Sequence, residues 1–292
     1  MKILLTGISG QVGWELQRTL MTVGDVISLG RNKLDLSQPD TIRQTIRDIK
    51  PDLIVNPAAY TAVDKAESEI DLAMAINGVA PGIIAEEAKR LGAALIHYST
   101  DYVFDGNRSI PYRENDLTNP QNVYGKTKLA GEEAIQSIGA NYLIFRTSWV
   151  YGLRGKNFLL TMQRLAKERE EIKVVDDQIG SPTWSRMIAE ITAQVVVQSL
   201  GNTEEFLAEK SGIYNLSPGG KTSWYGFAKA IFGDDFPNQE RKLQRLIPIT
   251  TLEYPTPASR PAFSLLDNQK LSDTFGLTIP AWDQVFKLVM DS

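Results

Sequence analysis

Two segments of the chain have the form Y-x-x-x-K, Tyr124-Gly-Lys-Thr-Lys128 and Tyr225-Gly-Phe-Ala-Lys229. At i and i+4 a phenol and an ammonium share one face of a helix. Such a pair suits carbonyl reduction, in which a proton must reach the oxygen as hydride reaches the carbon. A phenol of ordinary pKa, ~10, relays protons poorly near neutrality, and an ammonium within ~4–6 Å is expected to lower it by ~1–3 units. No side chain supplies hydride, so the reaction calls for a cofactor. Ten tyrosines make the pattern easy to meet by chance, and position decides between the two matches. Tyr225 lies in an aromatic and apolar stripe, Trp224 to Phe232, that reads as core. Tyr124 and Lys128 open a helix that follows His97-Tyr98-Ser99-Thr100-Asp101, the end of an apolar run. Tyr124 is therefore the expected proton donor and Lys128 its electrostatic tuner, within reach of a nicotinamide ribose. Thr100 is expected to donate to the substrate oxygen, polarising and orienting it.

A second signal comes near the start, where a strand runs into Gly7-Ile8-Ser9-Gly10-Gln11-Val12-Gly13 and then a helix. Gly7 permits a tight turn, Gly10 lets backbone approach a pyrophosphate, and Gly13 permits close helix-to-strand packing. The helix N-terminus favours the anion. The spacing is G-x-x-G-x-x-G rather than G-x-G-x-x-G, and its place between strand and helix carries the inference. Many dinucleotide folds end the second strand with an acid that binds ribose. Here that strand ends Leu29-Gly30-Arg31-Asn32-Lys33, with no acid and two cations. A 2′-phosphate is then favoured, which predicts NADPH ahead of NADH with Arg31 as leading contact.

The elements that must position these groups alternate as in a parallel sheet. Strands are predicted at 2–6, 25–29, 33–36, 53–56, 94–99 and 142–147. Helices are predicted at 11–23, 39–49 and 122–137, with a long helical region over 65–91 that Gly78 and Pro81 bend or divide. Beyond Val150 the alternation loosens. Residues 157–168 and 185–200 read as helices, 173–175 and 213–216 as strands, and the three prolines of 254–261 exclude helix. The expectation is an α/β fold, a doubly wound parallel sheet (Rossmann-like) with a smaller, partly interwoven C-terminal α/β substrate lobe. Residues 1–155 would bind NADP, with 183–216 returning to that domain, and 156–292 would mainly form the lobe.

Composition removes other classes of function. A chain of 292 residues with 42% hydrophobic and 23% charged side chains can bury a sizeable core and is neither disordered nor a coiled coil. Its net charge of −4 argues against nucleic acid and anionic membrane as partners. Zero cysteines exclude disulfides and thiolate chemistry, and the single histidine, His97, leaves little for a metal site or a Ser-His-Asp triad. No apolar run approaches ~18–20 residues, and Met1-Lys2 leads straight into Ile3-Leu4-Leu5, which makes the cytoplasm the expected location.

Six ordered segments carry a wider likeness: 7–16, Asn56 to Glu67, Ser99 to Gly106, Asn122 to Lys128, Arg146 to Gly152, and Pro255 to Pro261. Over nearly its whole length the chain resembles the extended short-chain dehydrogenase/reductases. The resemblance implies NADPH-dependent reduction of the C4 ketone of dTDP-4-dehydro-L-rhamnose, giving dTDP-L-rhamnose. It makes Tyr124 the proton donor, Lys128 its partner, and Thr100 and Asp101 contacts of the sugar. It adds Gln11, Val12, Asp35, Leu36, Ala58, Ala59, Tyr60 and Tyr98 as cofactor contacts, with Asp35 beside the adenine, and Trp149 as a wall of the hexose site. A lone aromatic after a strand also suits core packing. Arg260, a cation in a proline-fixed segment, either meets the nucleotide diphosphate or is a surface arginine. Pro57 stands where alanine is common in the family and Tyr60 where histidine is. Some relatives are metal-bridged dimers; Glu15 is compatible with that, but Arg186 is a poor neighbour for a divalent ion. A monomer or homodimer with no metal is expected. Two alternatives stay open. Another nucleotide-sugar epimerase or dehydratase of the same fold would cycle its cofactor without net NADPH consumption. A non-catalytic regulatory subunit, similar to the methionine adenosyltransferase beta subunit, would bind cofactor without turnover, and the intact Thr100, Tyr124 and Lys128 weigh against it.

Overall fold

A computed structural model describes residues 1–233 and 242–291. The chain begins with β1 (Lys2–Leu5), α1 (Gln11–Leu20), β2 (Asp25–Ser28), α2 (Pro39–Ile49) and β3 (Leu53–Asn56). Next come α3 (Val63–Ala66), α4 (Ile70–Met74), a π-helical turn (Ala75–Val79), α5 (Ala80–Leu91), β4 (Ala94–Thr100), α6 (Val123–Ile138) and β5 (Asn141–Thr147). The second half holds β6 (Val150–Tyr151), α7 (Phe158–Glu168), β7 (Glu171–Val175), β8 (Ile179–Gly180), β9 (Thr183–Trp184) and α8 (Ser185–Gln198). It ends with α9 (Thr203–Glu209), β10 (Gly212–Asn215), β11 (Thr222–Ser223), α10 (Trp224–Phe232), β12 (Arg245–Ile249), α11 (Gln269–Phe275) and α12 (Trp282–Met290).

The main sheet runs β10-β5-β4-β3-β1-β2, and every described pairing in it is parallel. Successive strand residues point to opposite faces, and both faces are buried. Leu4, Ile54, Leu95 and Ile144 pack with Ile42 and Ile46 of α2, Ile84 of α5 and Ile135 of α6. Ile3, Leu5, Val55, Ile96 and Phe145 face the other way, toward Leu16 and Leu20 of α1 and Ile188 and Val195 of α8. Two-sided burial explains why these strands read as unbroken apolar runs, and it makes the sheet doubly wound. The late segments join the early ones, since β10 pairs with β5 and α8 shares a core with α1. Around the main sheet lie the small pairs β7–β12, β8–β11 and β6–β9.

One expectation is corrected, and the expected division of the long helical region is found. Residues 33–36 form no strand: Lys33 and Leu34 amides both donate to the Gly30 carbonyl, and Asp35 Oδ1 accepts from Ser37 N at 2.9 Å and Ser37 Oγ at 2.8 Å. Those local turns take the hydrogen bonds that a strand would need. The helical region over 65–91 divides into α3, α4, the π-turn and α5. Gly78 lies inside the π-turn, and Pro81 occupies the first turn of α5, where a missing N–H costs little.

Candidate active site

Between β1 and β3 the strand order reverses direction, so their carboxyl ends flank the crevice where such sheets take ligands. Gly7, just after β1, has φ +60°, and a Cβ there would lie 2.8 Å from Ala58 Cα, just after β3. A Cβ on Gly13 would lie 2.3 Å from the Gly7 carbonyl oxygen. Both positions therefore require glycine. The Gly10 amide donates to the Gly7 carbonyl at 2.9 Å and closes the turn. No side chain caps the start of α1 and no acid stands in its first turn, which leaves its amide donors open to an anion. Those features fit a dinucleotide pyrophosphate. Val12 packs against the core. The Gln11 amide accepts from Asn157 at 2.8 Å and donates to the Val150 carbonyl at 3.4 Å, fastening the turn to the loop after β6.

Beyond β2, Arg31 stands exposed, 3.6 Å from the Asp35 carboxylate. The Ser37 amide and hydroxyl, with Arg31 adding to them, hold the Asp35 carboxyl below its usual range. Leu36 is buried beside this turn. Ala58 and Ala59 stay partly exposed next to the glycine turn. Tyr60 is fixed by the π-turn: its amide donates to Asn77 Oδ1 at 2.8 Å, its carbonyl accepts from Asn77 Nδ2 at 3.0 Å, and its hydroxyl donates to Glu69 at 2.6 Å. Asn77 Nδ2 also reaches Thr127 Oγ1 of α6 at 3.3 Å.

The start of α6 is tied down at several points. Asn122 Oδ1 accepts from the Gly125 amide at 2.8 Å as its cap, and Asn122 Nδ2 donates to the Ser259 carbonyl at 2.7 Å. The Val123 amide donates to Glu67 at 2.8 Å. Farther along, Arg146 of β5 forks onto Glu132 of α6 with bonds of 3.0 and 2.6 Å, both side chains buried. The Thr100 hydroxyl is near enough to Tyr124 to lower the phenol pKa in part. Burial dominates and pushes Tyr124 up to about 12. The expected lowering by Lys128 is not found. Lys128 Nζ instead donates to the Tyr98 carbonyl at 2.7 Å and lies 3.2 Å from His97 Nε2, and burial brings the ammonium down to about 8. Sharing a helix face does not make two side chains converge, and Lys128 extends under β4 instead.

Three further expectations change. The Thr100 hydroxyl donates to Asp101 Oδ1 at 3.0 Å and accepts from the Tyr102 amide at 3.2 Å, so in this state its proton serves Asp101 rather than an open crevice. Burial pushes the Asp101 carboxyl up to about 6. The Tyr98 phenol is buried against Thr192 of α8 at 2.7 Å; what Tyr98 lends the site is its carbonyl. Arg260 is neither an open cation nor a free surface arginine. Its guanidinium forks onto Asp64 at 2.6 and 2.8 Å and donates to Ala258 O at 2.7 Å, latching the proline segment to α3.

Trp149, at φ +45° between β5 and β6, stacks flat on Trp224 with ring centroids 3.7 Å apart. Tyr102 sets its ring edge-on to Tyr124 at 5.5 Å. Sequence reasoning passed over Trp224, Tyr102, Asp64 and Asn77. Tyr102 and Asp64 fall inside the quoted segments, Trp224 opens a stripe read as core, and Asn77 carried no signal.

A family model described as RmlD substrate binding domain matches residues 1–292. The chain is 50% identical to the dTDP-4-dehydrorhamnose reductase of Burkholderia thailandensis, over 97% of this chain and 95% of that one. It is 46% identical to the enzyme of that name from Escherichia coli, over 100% and 97%. The crystal structure of Bacillus anthracis dTDP-4-dehydrorhamnose reductase in complex with NADP superposes with a TM-score of 0.90 at 36% identity, covering 99% of this chain and 98% of that one. By matched length, identity and fold together, the chain belongs to the RmlD substrate binding domain family, that of the dTDP-4-dehydrorhamnose reductases.

Proposed function

We propose that the chain reduces the C4 ketone of dTDP-4-dehydro-L-rhamnose to the alcohol of dTDP-L-rhamnose with NADPH. The observation that carries this reading is the Tyr124 phenol near the Thr100 hydroxyl at the carboxyl end of β4, in a fold whose glycine turn fits a dinucleotide pyrophosphate. Gly7, Gly10, Gln11, Val12 and Gly13 would hold the pyrophosphate, Arg31 the 2′-phosphate, Asp35 and Leu36 the adenine side, and Ala58, Ala59 and Tyr60 the nicotinamide side. When bound, the cofactor supplies hydride to the carbonyl carbon. Tyr124, kept protonated by burial, gives its proton to the carbonyl oxygen as negative charge builds there. Lys128, held at the Tyr98 carbonyl, would act on the resulting phenolate through its charge rather than by contact. Asp101, Trp149 and the Arg260–Asp64 latch bound the sugar, and binding energy from the nucleotide holds the ketone in place.

NADPH oxidation with a panel of dTDP- and UDP-linked 4-keto sugars tests the reading, the dTDP-4-dehydro-L-rhamnose reaction being fastest. Tyr124→Phe should lose at least ~10²-fold in kcat; a folded variant that keeps most of its turnover overturns the donor assignment. Arg31→Ala should erode the preference for NADPH over NADH. Gel filtration with EDTA and with magnesium distinguishes the proposed metal-free monomer or homodimer from a metal-dependent assembly, and cell fractionation tests the proposed cytoplasmic location.

A further inference from the structure

Under Lys128 lies a run of polar side chains to which the reduction as described gives no task. Thr6 Oγ1 donates to Asn56 Oδ1 at 2.6 Å, Asn56 Nδ2 meets His97 Nδ1 at 3.1 Å, and His97 Nε2 meets Lys128 Nζ at 3.2 Å. Thr6 is 2% exposed, Asn56 and His97 0%, and Lys128 1%. The chain thus crosses the sheet from the end of β1 through β3 and β4 to α6 without reaching water. Polar groups this dry are stable only when each donor finds an acceptor.

A neutral imidazole carries one N–H and one lone pair, so the direction of each bond fixes the next. With the Asn56 amide donating to Nδ1, the imidazole proton sits on Nε2 and Lys128 Nζ must accept it, which only an uncharged amine can do. An ammonium has no lone pair and must donate to Nε2. The imidazole proton then sits on Nδ1, the Asn56 amide turns its oxygen toward it, and the Asn56 nitrogen donates to Thr6 Oγ1. Passing from the first arrangement to the second takes up one proton from solvent and leaves the imidazole neutral. Mixed arrangements set donor against donor or acceptor against acceptor.

We propose that His97 is a positioning residue for the reduction, which holds Lys128 Nζ at the Tyr98 carbonyl and whose tautomer follows the charge of Lys128. The inference rests on the reading of Tyr124 and Lys128 as the reactive pair. Burial, and after it the neighbouring Lys128 charge, keep the imidazole well below its usual pKa, so it stays neutral while Lys128 titrates. Among the described residues, one other charge acts on Lys128. Glu132, one turn along α6 and held by Arg146 of β5, supports the ammonium. The Asp101 charge acts on Tyr124, and the Tyr98 phenol is engaged with Thr192 of α8.

Because His97 is the only histidine, its imidazole nitrogens are the only ones in a two-bond proton–nitrogen correlation spectrum of the untagged, nitrogen-15-labelled protein. Followed from about pH 6 to about pH 10, a range spanning the ordinary histidine and lysine values, the spectrum should show a neutral ring throughout. It should pass from the Nδ1–H form to the Nε2–H form as Lys128 loses its charge near pH 8. In Lys128→Met, whose spectrum also reports folding, the pH dependence should vanish. An imidazolium appearing near the ordinary ~6.5, or one tautomer at every pH, overturns the proposal. His97→Phe should lose ~10-fold in kcat with KM for the nucleotide sugar little changed and the basic limb of the pH profile displaced, and His97→Gln, which keeps an acceptor and a donor, should recover part of both. A folded His97→Phe with the basic limb in place overturns it as well. The spectrum needs neither substrate nor turnover: a fixed tautomer in an active reductase sinks this inference alone, whereas a switching tautomer in a chain that reduces no 4-keto sugar sinks the functional reading and leaves the His97–Lys128 coupling standing.

Discussion

Thr100 gives its hydroxyl proton to Asp101, its neighbour in sequence, across 3.0 Å. The accepting carboxyl is 2% exposed, and burial pushes it from 3.8 up to about 6. Below that pH Asp101 is protonated; above it, the carboxylate is ionised in a dry setting at a cost. A carboxyl raised in the folded state contributes stability fully below the unfolded pKa of ~3.9, and that contribution is lost as pH rises through the folded value. Asp101→Asn, which keeps the acceptor and removes the charge, should therefore be more stable than wild type at pH 8 by about 1–3 kcal/mol. At pH 4 the gain should be near zero. Urea denaturation at both pH values checks this, and an equal difference at the two would refute the burial argument.

Lys128 carries the opposite sign. Burial lowers its ammonium from 10.5 to about 8, so between those values the unfolded chain binds more protons and stability rises with pH; below about 8 the full cost of a buried charge is present. Lys128→Met should then stabilise the fold at pH 7 by about 2–3 kcal/mol while removing at least ~10²-fold of kcat. The stabilisation should shrink toward pH 10. A variant less stable than wild type at pH 7 would mean that the bonds to Tyr98 and His97 outweigh desolvation.

The sheet and its helices were legible because period and burial agree: Leu4, Ile54 and Leu95 alternate with Ile3, Val55 and Ile96 between two cores, which forces the unbroken apolar runs. The glycine turn was legible for a similar local reason, since Gly7 and Gly13 answer to neighbours fixed by β1, β3 and α1. Residues 33–36 misled because alternating leucines, both buried, mimic a strand while the Asp35 side chain closes a turn. The partners of Lys128 and Arg260 were not legible at all. Each is set by contacts distant in sequence, His97 across 31 positions and Asp64 across 196, and no helical period encodes a tertiary partner.

The buried Arg146–Glu132 fork docks α6 on β5, with the two side chains 3% and 0% exposed. Removing one partner strands a charge in the interior, which costs about 3–5 kcal/mol, whereas replacing both by apolar groups of similar volume is far less harmful. Arg146→Met should accordingly destabilise the chain by about 3–5 kcal/mol, and the double variant Arg146→Met with Glu132→Leu should recover most of it. Equal losses in the single and double variants, read by urea denaturation at pH 7, would make the fork a matter of shape rather than charge.

Arg260 and Asp64 form a bidentate pair that joins the proline segment to α3, and Asp64 also accepts from the Ala258 amide at 3.2 Å. The same segment reaches α6 through Ser259 and Asn122, so the latch couples the proline segment to the cap of α6. If Arg260 acts through the latch, Arg260→Ala and Asp64→Ala should raise KM for the nucleotide sugar by similar factors, on the order of 10-fold, and the double variant by no more than either alone. If Arg260 instead leaves Asp64 to meet the diphosphate, Arg260→Ala should raise KM while Asp64→Ala, which frees the guanidinium, leaves it unchanged or lowers it. A double-mutant cycle on KM separates the two. The bidentate geometry, with the arginine 21% and the aspartate 42% exposed, favours a coupling of about 1–2 kcal/mol, above that of an open surface pair.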